Sequence, residues 1–241
     1  MDAVRVAQLW RYPAKSLQGE ALNEALLNGD GVAGDRVVHV AGLRGPMTGR
    51  TRPGLLTISA TTGTDGRPLI GGHPWDSPSA LAMIRERAGP DARLIEDHSP
   101  GRFDILNLLV ATDGAVNAFG HDVRRLRPNL VLSGIPADLE PSLEGRALAV
   151  GDVLIGLHSL RQRCVVTSIH PDTGAQDLDV LRRIRTVFGG KLALNSWVIR
   201  PGTIRVGDTA ELVDTPAEPT HIGGWIVGAH YPHITSVHGP A

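Results

Sequence analysis

Apolar and polar positions in this 241-residue chain alternate over short stretches, and glycine or proline interrupts nearly every one, which predicts many short strands joined by tight turns. Val4 to Trp10, Ala21 to Leu27, Val37 to Ala41 and Leu55 to Ala60 read as strands, separated by turn chemistry at Gly29-Asp30-Gly31, Gly42 to Gly49 and Gly63 to Gly66. Ser79 to Ala88 is the first helix: Leu81, Ile84 and Ala88 share a face, a Ser-Pro-Ser stretch precedes it and Gly89 stops it. After a short strand at Arg93 to Glu96, the polar stretch from Glu96 to Arg102 marks a boundary between two halves.

The second half reads as strands at Leu108 to Thr112, Asn129 to Leu132, Ala147 to Ile155, Val165 to Ile169, Trp197 to Arg200 and Ile204 to Val213. A brief helix is expected over Asp113 to Phe119, and Asp177 caps another that buries Leu178, Leu181 and Ile184. The pattern predicts a mainly β fold of the β-barrel type with a few helices, in two mainly antiparallel barrels: one over residues 1–98, packed on a second over 99–213. Residues 214–241 form a C-terminal extension with Trp225 and four histidines.

Charge narrows the function classes. The 24 basic and 25 acidic residues give a formal charge of −1, so no cationic excess advertises nucleic acid or an anionic membrane surface as partner. Met1 to Val6 carries an acid at position 2 and no apolar run, no stretch is long and apolar enough to span a bilayer, and there is one cysteine; cytoplasmic location is the expectation.

That cysteine, Cys164, sits in Arg161-Gln162-Arg163-Cys164-Val165-Val166-Thr167, ahead of Pro171-Asp172-Thr173-Gly174. Fixed positive charge beside a thiol favours the thiolate, which attacks electrophiles or ligates a soft metal, whereas a lone cysteine taken by itself is more often a small buried hydrophobe. It cannot form an intramolecular disulfide or a four-cysteine cluster. A thiol–imidazole pair with His158 or His170 lacks a spacing that would bring the groups together, and His230-Tyr231-Pro232-His233 has metal-like spacing broken by proline. Lys15-Ser16, Asp35-Arg36 and Arg127-Pro128-Asn129 each place cationic groups at a strand end or turn, where they could grip an anion.

Together, Tyr12-Pro13-Ala14-Lys15-Ser16-Leu17-Gln18-Gly19, Gly34-Asp35-Arg36, Arg127-Pro128-Asn129-Leu130, Gln162-Arg163-Cys164 and Pro201-Gly202-Thr203-Ile204-Arg205-Val206-Gly207-Asp208 resemble the MOSC family, the molybdenum cofactor sulfurase C-terminal superfamily, preceded by its N-terminal β-barrel domain. The resemblance implies a molybdenum–molybdopterin cofactor. Cys164 would be the catalytic residue and metal ligand; Lys15, Ser16 and Arg36 would hold the phosphate; Arg127, Asn129 and Arg163 would make further cofactor contacts. It implies two-electron reduction of N-hydroxylated or N-oxide-type small molecules, fed by an external electron donor such as a ferredoxin-like protein or a flavin reductase. At superfamily level alone it also implies pyridoxal phosphate binding. The other functions considered are a sulfur carrier or cofactor-binding module using a Cys164 persulfide, and a MOSC scaffold turned to a biosynthetic reaction without molybdenum. The chain departs from the family at Asp104-Ile105-Leu106-Asn107, where relatives carry a Thr-Ser or small-residue pair, and at Leu192 to Ser196.

Overall fold

The structure is a computed structural model that describes residues 3–214. The expectations for the extension, Trp225 and the His230/His233 pair therefore lie outside the described residues. In chain order the first half supplies β1 (Arg5–Arg11), β2 (Glu20–Leu22), β3 (Glu24–Asn28), β4 (Gly31–Val32), β5 (Val38–Gly42), β6 (Gly45–Met47), β7 (Ala60–Thr62), β8 (Pro68–Ile70), β9 (His73–Pro74), α1 (Pro78–Ala88) and β10 (Arg93–Glu96). The second supplies β11 (Leu108–Thr112), α2 (Asp113–Phe119), β12 (Leu130–Ser133), β13 (Ala147–Val150), β14 (Val153–Gln162), α3 (Leu178–Phe188), β15 (Lys191–Arg200), β16 (Gly202–Arg205) and β17 (Glu211–Val213).

The mainly β architecture is as expected. The strands of the described residues form one open eight-stranded sheet, ordered β17-β13-β14-β15-β11-β12-β1-β2, and three three-stranded sheets, none closed into a ring. Its one parallel pair is β11 with β12. β1 comes from the start of the chain yet pairs with β12, Leu9 opposite Leu130. This one pairing brings the loop after β1 beside the loop before β12, and both carry site residues.

The two largest of four apolar clusters among the described residues hold the frame. Val6, Leu9, Val110, Leu130, Leu132, Ile155 and Leu194 pack under the large sheet, while Val38, Val40, Leu55, Ile70 and Ile84 pack α1 against the small sheets of the first half. Each fully buried aliphatic side chain contributes about 1.5–3 kcal/mol relative to exposure. α1 starts and stops as its sequence directs: the Ser77 side chain accepts from Ala80 N–H, Pro78 stands at the first position and Gly89 terminates it at φ 108°.

Several elements differ from the sequence expectation. Leu55 to Ala60 is not one strand: Pro53 presets φ for a 3-10 turn over Pro53–Thr57, which buries Leu55 and Leu56, and β7 starts only at Ala60. Ala21 to Leu27 breaks at Asn23 into β2 and β3, which join different sheets. Ala147 to Ile155 is the β13–β14 hairpin, turning through Gly151 at φ 54°. Ile204 to Val213 divides around Gly207, and the strand expected at Trp197 begins at Lys191. In α3 the inward face is Val180 and Ile184, with Leu178 about half exposed.

The difference that matters most is at Val165 to Ile169, which forms a 3-10 turn over Val165–Ser168. Thr167 Oγ1 donates to the Cys164 carbonyl at 2.8 Å and Ser168 Oγ to the Val165 carbonyl at 2.6 Å. Hydroxyl side chains that bond back to the preceding turn compete with a strand ladder, and here they end β14 and leave Cys164 at the corner.

Candidate functional site

Leaving β1, the chain turns through Tyr12 to Leu17 and is strapped to Asp35–Val38: Tyr12 N–H donates to Asp35 Oδ1 at 2.7 Å, Arg36 N–H to the Tyr12 carbonyl at 2.7 Å and Lys15 N–H to the Val38 carbonyl at 2.7 Å. Asp35 is fully buried and is the hub of this corner. Its other oxygen accepts from Asn129 Nδ2 at 3.2 Å and from the Arg36 guanidinium. Asn129 closes the corner from the second half, its Oδ1 accepting from Leu109 N–H at 3.1 Å.

All seven residues singled out from the sequence, Lys15, Ser16, Arg36, Arg127, Asn129, Arg163 and Cys164, line one cleft of about 290 Å³. Cys164 contributes a half-buried free thiol. Arg50, Arg125 and Arg161 also face the cleft, so its wall holds seven cationic side chains against one carboxylate, Asp104. Such a wall presents a strongly positive local field although the whole chain is nearly neutral.

The cations are held rather than loose. Lys15 Nζ donates to the Arg102 carbonyl at 2.7 Å and pairs with Asp104 at 2.8 Å. Arg127 Nη1 reaches the Leu17 carbonyl at 2.6 Å, and Arg163 Nη2 the Leu126 carbonyl at 2.7 Å. Arg36 and Arg127 both lie over the Tyr12 ring, 5.1 and 4.3 Å from its centroid. Gly19 is required here, since a Cβ would stand 2.5 Å from that ring.

Desolvation shifts several of these groups. It lowers Lys15 to about 8, opposed by Asp104, and lowers Arg127 and Arg163 to about 10, so both arginines remain charged at neutral pH. Burial works against ionisation of Asp104, but Lys15 and Arg161 outweigh it and hold the carboxyl well below its usual range. Burial also pushes the Tyr12 phenol well up.

Two features mark the cleft as built for a ligand. Arg127 Nη2 and Arg163 Nε are buried with no hydrogen-bond partner among the described residues, and an unsatisfied buried donor costs about 1–3 kcal/mol. Moreover, four non-glycine residues among those described have positive φ, and three of them line this cleft: Ser16 at 68°, Arg36 at 55° and Arg127 at 57°. Left-handed backbone at such residues costs on the order of 1–3 kcal/mol each and concentrates at functional sites. Unpaired donors and a strained cationic wall beside a thiol suit a group that carries an anionic end and a soft metal.

The other sequence candidates are not assembled. His158 Nδ1 lies 2.9 Å from Ser159 Oγ, His170 Nδ1 accepts from Asp172 N–H at 3.2 Å, and neither ring lines the cleft with Cys164. No group of three or more metal-ligating His, Cys, Asp or Glu side chains occurs among the described residues. The sequence reading missed Asp35 as hub and missed Asp104, Arg161, Arg50 and Arg125 as lining groups. For Asp35 and Arg161 the available signal was their position next to, or two residues from, a candidate already named.

Residues 111–211 match the family described as MOSC domain, and residues 3–92 match the MOSC N-terminal beta barrel domain. Among curated relatives, mitochondrial amidoxime-reducing component 1 of Mus musculus is 27% identical over 86% of this chain and 82% of its own. The Homo sapiens protein of the same name is 25% identical over the same shares. Among solved structures, the YUAD protein from Bacillus subtilis matches with a TM-score of 0.47 at 14% identity, over 87% of this chain and 95% of its own. Pyridoxal phosphate binding finds no support in these comparisons. No helix among the described residues is long and apolar enough to cross a membrane.

Proposed function

We propose that this chain, which belongs to the MOSC family and carries that family's N-terminal β-barrel domain ahead of its MOSC domain, is a molybdenum-cofactor-dependent oxidoreductase that reduces N-hydroxylated or N-oxide-type small molecules. The relatives named as amidoxime-reducing components support this reading. The observation that carries it is the meeting, in one cleft, of a half-buried thiol with a cationic wall that keeps two buried guanidinium nitrogens unpaired.

The donor set fits a molybdenum–pterin group. Cys164 Sγ is the soft ligand the metal calls for, and Lys15, Ser16 and Arg36 would hold the phosphate while Arg127, Asn129 and Arg163 would hold the pterin. The bound cofactor supplies the two-electron redox change; the chain supplies placement and access. Asp35 and Asn129 fix the cationic corner before any ligand arrives, and Leu106, Leu108 and Leu109 give the cleft an apolar flank that excludes water from its floor. One cysteine cannot anchor a cluster, so electrons arrive from a ferredoxin-like or flavin partner, and a reducing cytoplasm is the matching compartment.

The test is metal and pterin analysis of the full chain made in a host that synthesises molybdopterin, with about one molybdenum per chain as the expected result. Pterin without molybdenum would point to storage or transfer, and absence of both would overturn the reading.

Lys15 gives the site a pH dependence. Its folded value near 8 means that its charge is lost as pH rises through about 8, whereas an ordinary lysine keeps it to above 10. Affinity for a phosphate-like anion should therefore fall across pH 8 to 9, read by titrating the cofactor-free protein with sulfate. The stability sign is opposite: between about 8 and 10.5 the unfolded lysine binds the proton that the folded one has released, so this group's contribution to stability rises with pH there. Affinity that stays flat to pH 10 would remove Lys15 from the anion grip.

A further inference from the structure

Asp104 is the one carboxylate among the described residues lining the cleft. Each of its oxygens meets a different cation. Oδ1 lies 2.8 Å from Lys15 Nζ and Oδ2 lies 3.0 Å from Arg161 Nη2. Lys15 comes from the loop after β1 and Arg161 from the end of β14, so the carboxylate ties two walls of the cleft together. Arg161 is positioned for this by a second bond, Nη1 donating to Asn195 Oδ1 at 3.0 Å.

Two cations converging on two oxygens of one acid is the arrangement an oxyanion ligand would adopt in the same place. In the same cleft Arg127 and Arg163 spend their bonds on neutral carbonyls and keep a buried nitrogen each without acceptor among the described residues. The wall is thus divided: Lys15 and Arg161 share one carboxylate, whereas the side-chain hydrogen bonds of Arg127 and Arg163 among the described residues go to neutral carbonyls.

We propose that Asp104 is a specificity-determining counter-anion: it occupies Lys15 and Arg161 in the ligand-free cleft, and an anion of the phosphate class engages Lys15 only by displacing it. The carboxylate is tethered, so it competes at high effective concentration, and once displaced it repels the incoming anion at short range. A site built this way holds a phosphate-bearing group less tightly than the same cations would without Asp104. It selects for ligands with a second point of attachment, which Arg127, Arg163 and Cys164 provide. This rests on the reading that the cleft takes a ligand with a phosphate.

The test is calorimetric titration of the cofactor-free full chain with sulfate, a phosphate-shaped dianion that does not titrate near neutrality, at pH 5.5, because loss of Asp104 removes the group that raises Lys15 and lets burial lower it further. Asp104→Asn is expected to bind sulfate at least about tenfold more tightly than wild type, and Asp104→Glu to stay within about threefold of it, since one charge-assisted bond regained is worth a factor of this order. Equal or weaker binding by Asp104→Asn would overturn the proposal. If that variant shows no cooperative melting in sulfate-free buffer, added sulfate must restore the transition by filling the vacated grip, and failure to do so would also overturn it. Because the readout needs no molybdenum, the two readings fail separately: a chain that takes up neither molybdenum nor pterin in a host that synthesises molybdopterin, yet shows the expected sulfate ratio between Asp104→Asn and wild type, would overturn the oxidoreductase reading and leave this one standing.

Discussion

Cys164→Ser is expected to give a folded protein that no longer reduces N-oxide or N-hydroxylated compounds, a loss on the order of 10²-fold or more, since even changes outside a metal's ligand shell cost 10–100-fold. The fold should survive because the corner at residue 164 is held through the backbone: Thr167 N–H and Oγ1 both donate to the Cys164 carbonyl, and no hydrogen bond among the described residues involves the thiol. Exchanging one half-exposed atom there should move the melting temperature by no more than about 2 °C. Activity should vanish because a serine hydroxyl is a hard, weakly ionised donor, unsuited to a metal already bound by sulfur. Metal and pterin contents separate the causes. With the cationic wall intact, pterin should be retained while molybdenum falls, whereas equal loss of both would make Cys164 a determinant of cofactor binding. Full activity in the serine variant would take Cys164 out of the metal's coordination altogether.

Which residues share the cleft was more legible in the sequence than the geometry they adopt there, and particular residues show why. Lys15, Arg36, Arg127 and Arg163 could be found because cations at strand ends in recognisable segments leave a mark in one dimension, and all four line the cleft. The strained backbone at Ser16, Arg36 and Arg127 leaves none, because left-handed geometry is written in sequence only when glycine supplies it. The pairing of Asp104 with Arg161 spans 57 positions and becomes visible only once β14 ends beside it. Short apolar runs were the weak point for the fold. Leu55 to Ala60 and Val165 to Ile169 have strand composition, yet Pro53 in one case and the Thr167 and Ser168 hydroxyls in the other make them tight turns. α1 and β10 were read almost to the residue, since caps and alternation are local signals.

Asp35→Ala is expected to cost about 3–5 kcal/mol, the usual cost of removing one partner of a buried ion pair, and to lower the melting temperature by roughly 6–20 °C for a chain of this size. Asp35 is wholly buried, and its carboxylate serves Tyr12 N–H, Asn129 Nδ2 and the Arg36 guanidinium together; the alanine leaves all three donors without it. Asn at this position should recover little. Its one carbonyl oxygen can face Tyr12 N–H or the Asn129 and Arg36 side, and the amide nitrogen then meets a donor at the other. The damage should reach the cleft, because Arg36 holds a left-handed backbone at φ 55° and its side chain would lose its anchor beside the Tyr12 ring. Sulfate affinity of the cofactor-free protein should therefore drop about tenfold or more, as it should in Arg36→Ala, where the cation itself is removed. Arg36→Ala should also melt below wild type, since it leaves the buried Asp35 carboxylate with only the Tyr12 and Asn129 donors, but Asp35→Ala strips a partner from Tyr12, Asn129 and Arg36 together. An Asp35→Ala protein that melts within 2 °C of wild type and binds sulfate equally well would show that the corner is held by the β1–β12 pairing alone, with Asp35 a passenger in it.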